Sequence, residues 1–197
     1  MRKIYKLVAF LLLAGRVAAQ APAPPSQPTA FRSGSYQLVA GDWKRAKLLY
    51  DEHTLSVSDA EHKPKYALVY PADSVRAFAI GRDTFEVVHG VDIPKPVQHL
   101  RSTFARHLYR SAGFQVAEYV AFPTPPETPV IYTLLTSPGK LVVLPPNARQ
   151  FRMALASVVR DYAALATQLE LDQQILPEHL PQLLAAYGQW KANGTKK

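Results

Sequence analysis

Six histidines, fifteen carboxylates and no cysteine bound the chemistry open to this 197-residue chain. Without cysteine there is no thiol nucleophile, no thiolate-bound metal and no cysteine-anchored lipid. The histidines are His53, His62, His89, His99, His107 and His179, and none stands in an HExxH arrangement. His99 and His107 are eight residues apart. On a strand they would share a face about 27 Å apart at roughly 3.4 Å per residue. On a helix they would lie about 12 Å apart at 1.5 Å per residue. Neither spacing makes a metal pair.

The nucleophile candidates fare no better. Ser33-Gly34-Ser35 lacks the Gly-x-Ser-x-Gly elbow and reads as the lead into a first strand. Asp51 and Glu52 are adjacent, so on a strand they would face opposite ways; they read as a charged turn. Gly81-Arg82-Asp83 reads as a turn, and Asn193-Gly194-Thr195 as a chance match to the glycosylation acceptor. Arg101, Arg106 and Arg110, interleaved with Phe104 and Tyr109, form the densest basic neighbourhood. Such a pattern could stack bases or grip an acidic polysaccharide or lipid head group. Core aromatics flanked by solvated arginines produce the same pattern. No catalytic, cofactor-binding or metal-ligating residue is assigned, and no cofactor or nucleic-acid partner is expected.

The elements that would position these groups change type along the chain. Residues 1–19 read as a secretory signal peptide: Arg2, Lys3 and Lys6, then an apolar run over 7–14, then Val17-Ala18-Ala19 before the cut. Cleavage would leave 178 residues and lower the formal charge from +8 to +4, since the leader holds four bases and no acid. An exported protein, periplasmic or extracellular, is expected, with no transmembrane segment after cleavage. Residues 20–30 hold four prolines and no charge, the composition of an extended linker.

Residues 31–146 carry strand signals. Short aromatic and β-branched runs alternate with turns at 40–42, 59–64, 71–73, 81–83 and 137–140. Tyr66, Leu68 and Tyr70 share one face, and 91–96, with two prolines, reads as an interruption. Over 97–111 the positions Val97, Leu100, Phe104 and Leu108 suit an amphipathic helix. The proline-rich 123–129 reads as a turn. From Asn147, a fair N-cap, the stripe Phe151, Leu155, Val158, Tyr162, Leu165, Leu169 marks helix, with Asp161 a possible cap for a second. A further helix begins at Pro177-Glu178, turns Leu180, Leu183, Leu184, Tyr187 and Trp190 inward, and gives way to a tail at 193–197. The fold class is α+β: an antiparallel, β-rich meander or partly closed sheet over 31–146, with two or three helices over 147–192 packed on it.

The leader, the meander around Asp73-Ser-Val-Arg-Ala-Phe78, the strand ending Leu141-Val-Val-Leu-Pro145 and the tail with Asp161-Tyr-Ala-Ala-Leu-Ala and Leu180-x2-Leu183-x3-Tyr187 resemble small secreted proteins of Bacteroidetes-type envelopes. The resemblance implies a strand over the segment from Thr103 to Arg110, and 97–111 is read as strand on that ground. It implies an envelope setting and carries over no functional residue.

Three functions follow as expectations. The first is a non-enzymatic binding module for a protein or glycan partner in the envelope. The second is an extracytoplasmic hydrolase, requiring two or more of Asp42, Asp51, Glu52, His53, Glu86 and His89 to converge in a pocket. The third is an accessory to an outer-membrane assembly.

Overall fold

The computed structural model describes residues 29–95, 97–121 and 129–194. The leader, most of the linker, nearly all of the 123–129 turn and the last three residues lie outside them. Ten strands form one antiparallel sheet: β1 (Arg32–Leu38), β2 (Lys44–Tyr50), β3 (Thr54–Ser58), β4 (Leu68–Pro71), β5 (Val75–Ile80), β6 (Asp83–Pro94), β7 (Val97–Ser111), β8 (Phe114–Ala121), β9 (Val130–Ser137) and β10 (Lys140–Leu144). Their spatial order is β10-β9-β8-β7-β6-β5-β1-β2-β3-β4, so the sheet is open, with β10 and β4 as its edges. Three helices follow: α1 (Ala148–Val158), α2 (Ala163–Leu171) and α3 (Leu180–Gly194). This is the expected α+β class.

The order departs from a simple meander at one place. β5 pairs with β1 rather than with β4, although only the 3-10 turn Ala72–Ser74 separates it from β4. Four strand spacings of roughly 4.8 Å would put β4 and β5 about 19 Å apart in a flat sheet. The four peptide steps from Pro71 to Val75 span at most about 14 Å. The sheet must therefore curl. The curl encloses a core of Tyr36, Leu48, Leu55, Val57, Phe78, Ile80, Phe85 and Phe104. Phe78 is fully buried; its ring stacks on Phe85 at 4.7 Å and meets Phe104 edge-on at 5.0 Å. Two backbone bonds, Ala72 N–H to the His53 carbonyl and Val39 N–H to the Ser74 carbonyl, hold the crossover in place.

The long strands β6 and β7 carry the sheet out of the curl into a second half. There Val116, Leu135 and Leu144 meet Phe151, Leu155, Leu165, Leu169, Leu184 and Tyr187 from the helices. Asn147 caps α1, its Oδ1 accepting from Gln150 N–H at 3.1 Å. The helical run does split near Asp161, but Tyr162 takes the cap position without a side-chain bond. Asp161 instead accepts the Tyr187 hydroxyl at 2.9 Å, tying α3 to the α1–α2 junction. Helix α3 continues through Asn193 to Gly194.

Three local readings are corrected. Of the stretch 91–96, residues 91–94 are no interruption: Val91, Ile93 and Pro94 stay in register opposite Leu100, Gln98 and Val97. Pro94 stands on the last rung, beside the turn, where a missing donor costs least, while Pro96 lies outside the described residues. Tyr66 belongs to the 3-10 turn Pro64–Tyr66, not to the strand, which starts at Leu68. Ser33 and Ser35 are inside β1, not ahead of it. The expected strand over 97–111 is present as β7. Its pairing with β8 shifts between His107 and Tyr109, so the alternation changes phase at Leu108. Its apolar spacing imitates a helix because Val97 and Leu108, 93% and 39% exposed, extend the series begun by the buried Leu100 and Phe104.

Candidate functional site

Each candidate reaches a definite place. Asp42 lies exposed in the β1–β2 turn. Asp51, Glu52 and His53 are together because they are consecutive in the β2–β3 turn. Asp51 builds that turn: one carboxylate oxygen accepts the N–H groups of His53 (2.8 Å) and Thr54 (2.7 Å), and the other accepts the Thr54 hydroxyl (2.8 Å). Partial burial pushes its pKa up, but these three donors outweigh it and hold the carboxyl below the usual range. The Glu52 carbonyl accepts the Thr103 hydroxyl at 2.8 Å, seating the turn on β7. Beside it Tyr119 is 2% exposed; burial first, and the Glu52 charge second, push its hydroxyl far above the ordinary range, so it stays protonated.

Glu86 and His89 lie on β6 with other partners. Glu86 accepts the Gln115 amide and stands 4.0 Å from His107 Nδ1, while His89 Nδ1 meets the Ser102 hydroxyl at 2.9 Å. His99 pairs with Asp92 at 2.7 Å, His62 lies 3.0 Å from Asp59, and the His179 ring accepts Leu176 N–H at 3.1 Å. Among the described residues no group of three or more His, Asp or Glu side chains is placed to hold a metal ion.

The arginine neighbourhood on β7 disperses. Phe104 faces the curled core. Arg106 is 7% exposed; its guanidinium binds the Glu118 carboxylate through Nε (3.0 Å) and Nη2 and reaches Asp83 at 3.3 Å. Burial alone would lower its pKa, yet Glu118 and then Asp83 raise it above the ordinary arginine value. Arg101 is exposed beside Asp73 at 3.8 Å, and Arg110 is exposed. These cations form no joint patch.

A cationic site does exist, on the other half of the sheet. An open groove of about 540 Å³ lies on the outer side of the curl, lined by Ser33, Gly34, Arg45, Ala46, Lys47, Ser58, Asp59, Ala60, Lys63 and Pro64. Arg45 and Lys47 are two apart on β2 and so share a face. Leu48, between Lys47 and the next strand residue, points into the core. Register sets Lys47 opposite Ser33 on one side and Ser58 on the other, and Arg45 opposite Ser35. Lys63 arrives on the 59–64 loop, which Asp59 shapes by accepting Glu61 N–H (2.9 Å) and His62 N–H (2.7 Å). Those bonds, the backbone donor of His62 first, hold the Asp59 carboxyl below the usual range. Beneath the groove Gly34 has no room for a side chain: a Cβ there would stand 2.3 Å from the Ala79 carbonyl oxygen and 2.8 Å from Leu48 Cδ1.

The groove was not singled out from the sequence, although Arg45-x-Lys47 on a strand was a usable signal. Among the described residues, no ion pair involves Arg45, Lys47 or Lys63. No known protein family, curated protein or solved structure matches the chain. Among the described residues no helix is long and apolar enough to cross a membrane.

Proposed function

We propose that the mature chain is a non-enzymatic binding module acting outside the cytoplasm, and that the groove over β1, β2 and β3 is its binding face. The observation that carries this reading is three cations around one groove with no acidic partner among the described residues, while its single carboxylate is engaged by its own loop. Unpaired charge of one sign in a concave site raises the local concentration of opposite charge and speeds its capture. The leader supports the extracytoplasmic setting.

The test is capture from solubilised envelope and culture medium of the source organism, using residues 20–197 and the same chain carrying Arg45→Glu and Lys47→Glu. Bound material of any class that the wild type retains and the variant loses supports the reading. Equal retention by both, or none by either, overturns it.

A further inference from the structure

We infer that the ligand of this groove is an acidic polysaccharide, a chain bearing carboxylates at repeated positions; the inference rests on the binding-module reading above. Three properties of the site select that class. First, the cations are spread out. Arg45 and Lys47 are about 7 Å apart along β2, at roughly 3.4 Å per residue, and Lys63 enters from a separate loop. An open groove with charges in series suits a chain with charges in series better than one compact anion.

Second, the surface between the cations is polar and low. Ser33, Lys47 and Ser58 form one row across three strands, and Arg45, Ser35, Ala79 and Thr84 form another across four. Residues directly opposite in register stand on the same face. Each row therefore sets one cation beside hydroxyls or small side chains. Ser58 is buried, while Ser33, Ser35 and Thr84 keep some exposure, so their hydroxyls can hydrogen-bond sugar hydroxyls and the low surface lets a flat ring approach the sheet.

Third, the groove offers no well for an apolar anchor. Its carbon-only side chains are Ala46, Ala60 and Pro64. Protein partners draw most of their energy from large aromatic or aliphatic side chains seated in pockets. Tyr66, 68% exposed and two residues past the lining Pro64 in the same 3-10 turn, instead adds an aromatic ring, with Lys65 Nζ 5.6 Å from its centroid. Exposed rings of this kind are surfaces on which sugar rings stack.

The experiment titrates the mature chain, by calorimetry at low and raised salt, with polygalacturonate, dextran and poly-glutamate. Expected is saturable binding of polygalacturonate that weakens with salt, with no binding of dextran. Affinity should fall at least about tenfold in Lys47→Glu and in Lys63→Glu. Tyr66→Ala should fall severalfold for polygalacturonate and be unchanged for poly-glutamate. Circular dichroism and the unfolding midpoint of each variant establish that it is folded. Poly-glutamate bound as tightly as polygalacturonate, and lost in the lysine variants, would overturn the polysaccharide assignment while leaving the groove as the binding face. Polygalacturonate binding that is absent, or that survives both lysine variants, also overturns it. The charge-dependent capture above then decides separately whether the groove binds anything.

Discussion

Two sets of cations on one sheet behave in opposite ways. Arg106 on β7 sits between β6 and β8 in the interior of the sheet, with Glu118 directly opposite and Asp83 within reach. Arg45 and Lys47 on β2, with Lys63 nearby, stand on the outer face of the curl without an ion-pair partner among the described residues. The first set is satisfied by the fold and holds strands together. The second is left over by the fold, and its charge is available to something else. Sequence density favours β7; the surroundings of each charge favour β2.

Removing the paired cation gives the largest effect that sharpens this contrast. Arg106→Ala leaves the Glu118 carboxylate, itself largely buried, without its partner, and should cost about 3 kcal/mol in urea unfolding. A double variant, Arg106→Met with Glu118→Leu, removes both charges and should recover most of that loss. If Arg106→Ala proved as stable as wild type, the β7 cation would be no more structural than those on β2, and the contrast would fail.

Gly34→Ala tests the sheet beneath the groove. The new Cβ meets the Ala79 backbone oxygen, which cannot move without disturbing the β1–β5 ladder. Overpacking of this kind should cost about 2 kcal/mol, read as a lower denaturation midpoint. An unchanged midpoint would mean that β1 is held less tightly against β5 than the structure has it.

Much of this architecture was legible in the chain. Turn residues at 40–42, 59–64 and 81–83 and the stripe from Phe151 to Leu169 report local backbone preference and one-sided burial, and both survive into the structure. What did not read through is non-local. Nothing in the spacing of Pro71, Ala72 and Asp73 says that the next strand returns to β1, yet that return curls the sheet and shapes the groove's outer face. The strand over 97–111 looked helical because two of its four apolar markers, Val97 and Leu108, are exposed rather than inward, and spacing does not show which apolar side chains are buried. Arg106 looked like surface because sequence does not show that Glu118 lies opposite, twelve residues on. Spacing alone does not relate Lys47 to Lys63, because a loop, not a strand face, brings them to one groove.

Asp51 gives a smaller effect with a pH signature. Asp51→Ala removes three hydrogen bonds from an exposed turn and should cost about 1 kcal/mol at neutral pH. The carboxyl is held below its unfolded value of about 4, so the unfolded chain takes up the proton first as pH falls. Its contribution is complete above that value and is lost as pH drops through the lower folded value. Wild type and variant should therefore differ at pH 7 and converge under strong acid. A gap that persisted at low pH would assign the turn's stability to something other than the charged carboxylate.

The smallest expected change in stability decides the comparison. Arg45→Glu and Lys47→Glu alter exposed side chains that make no ion pair among the described residues, so each should move the unfolding free energy by no more than about 0.5 kcal/mol. Reversal also relieves repulsion between two cations on one strand face, so the sign should be neutral to slightly stabilising, and should shrink as salt screens the charges. A side chain kept for the fold resists such a change, as Arg106 should. One kept for a ligand tolerates it and loses binding instead. If charge reversal on β2 destabilised the chain as much as Arg106→Ala does, the groove cations would belong to the scaffold. If stability held while capture of envelope material was lost, the two sets of cations would be separated by function and not only by burial.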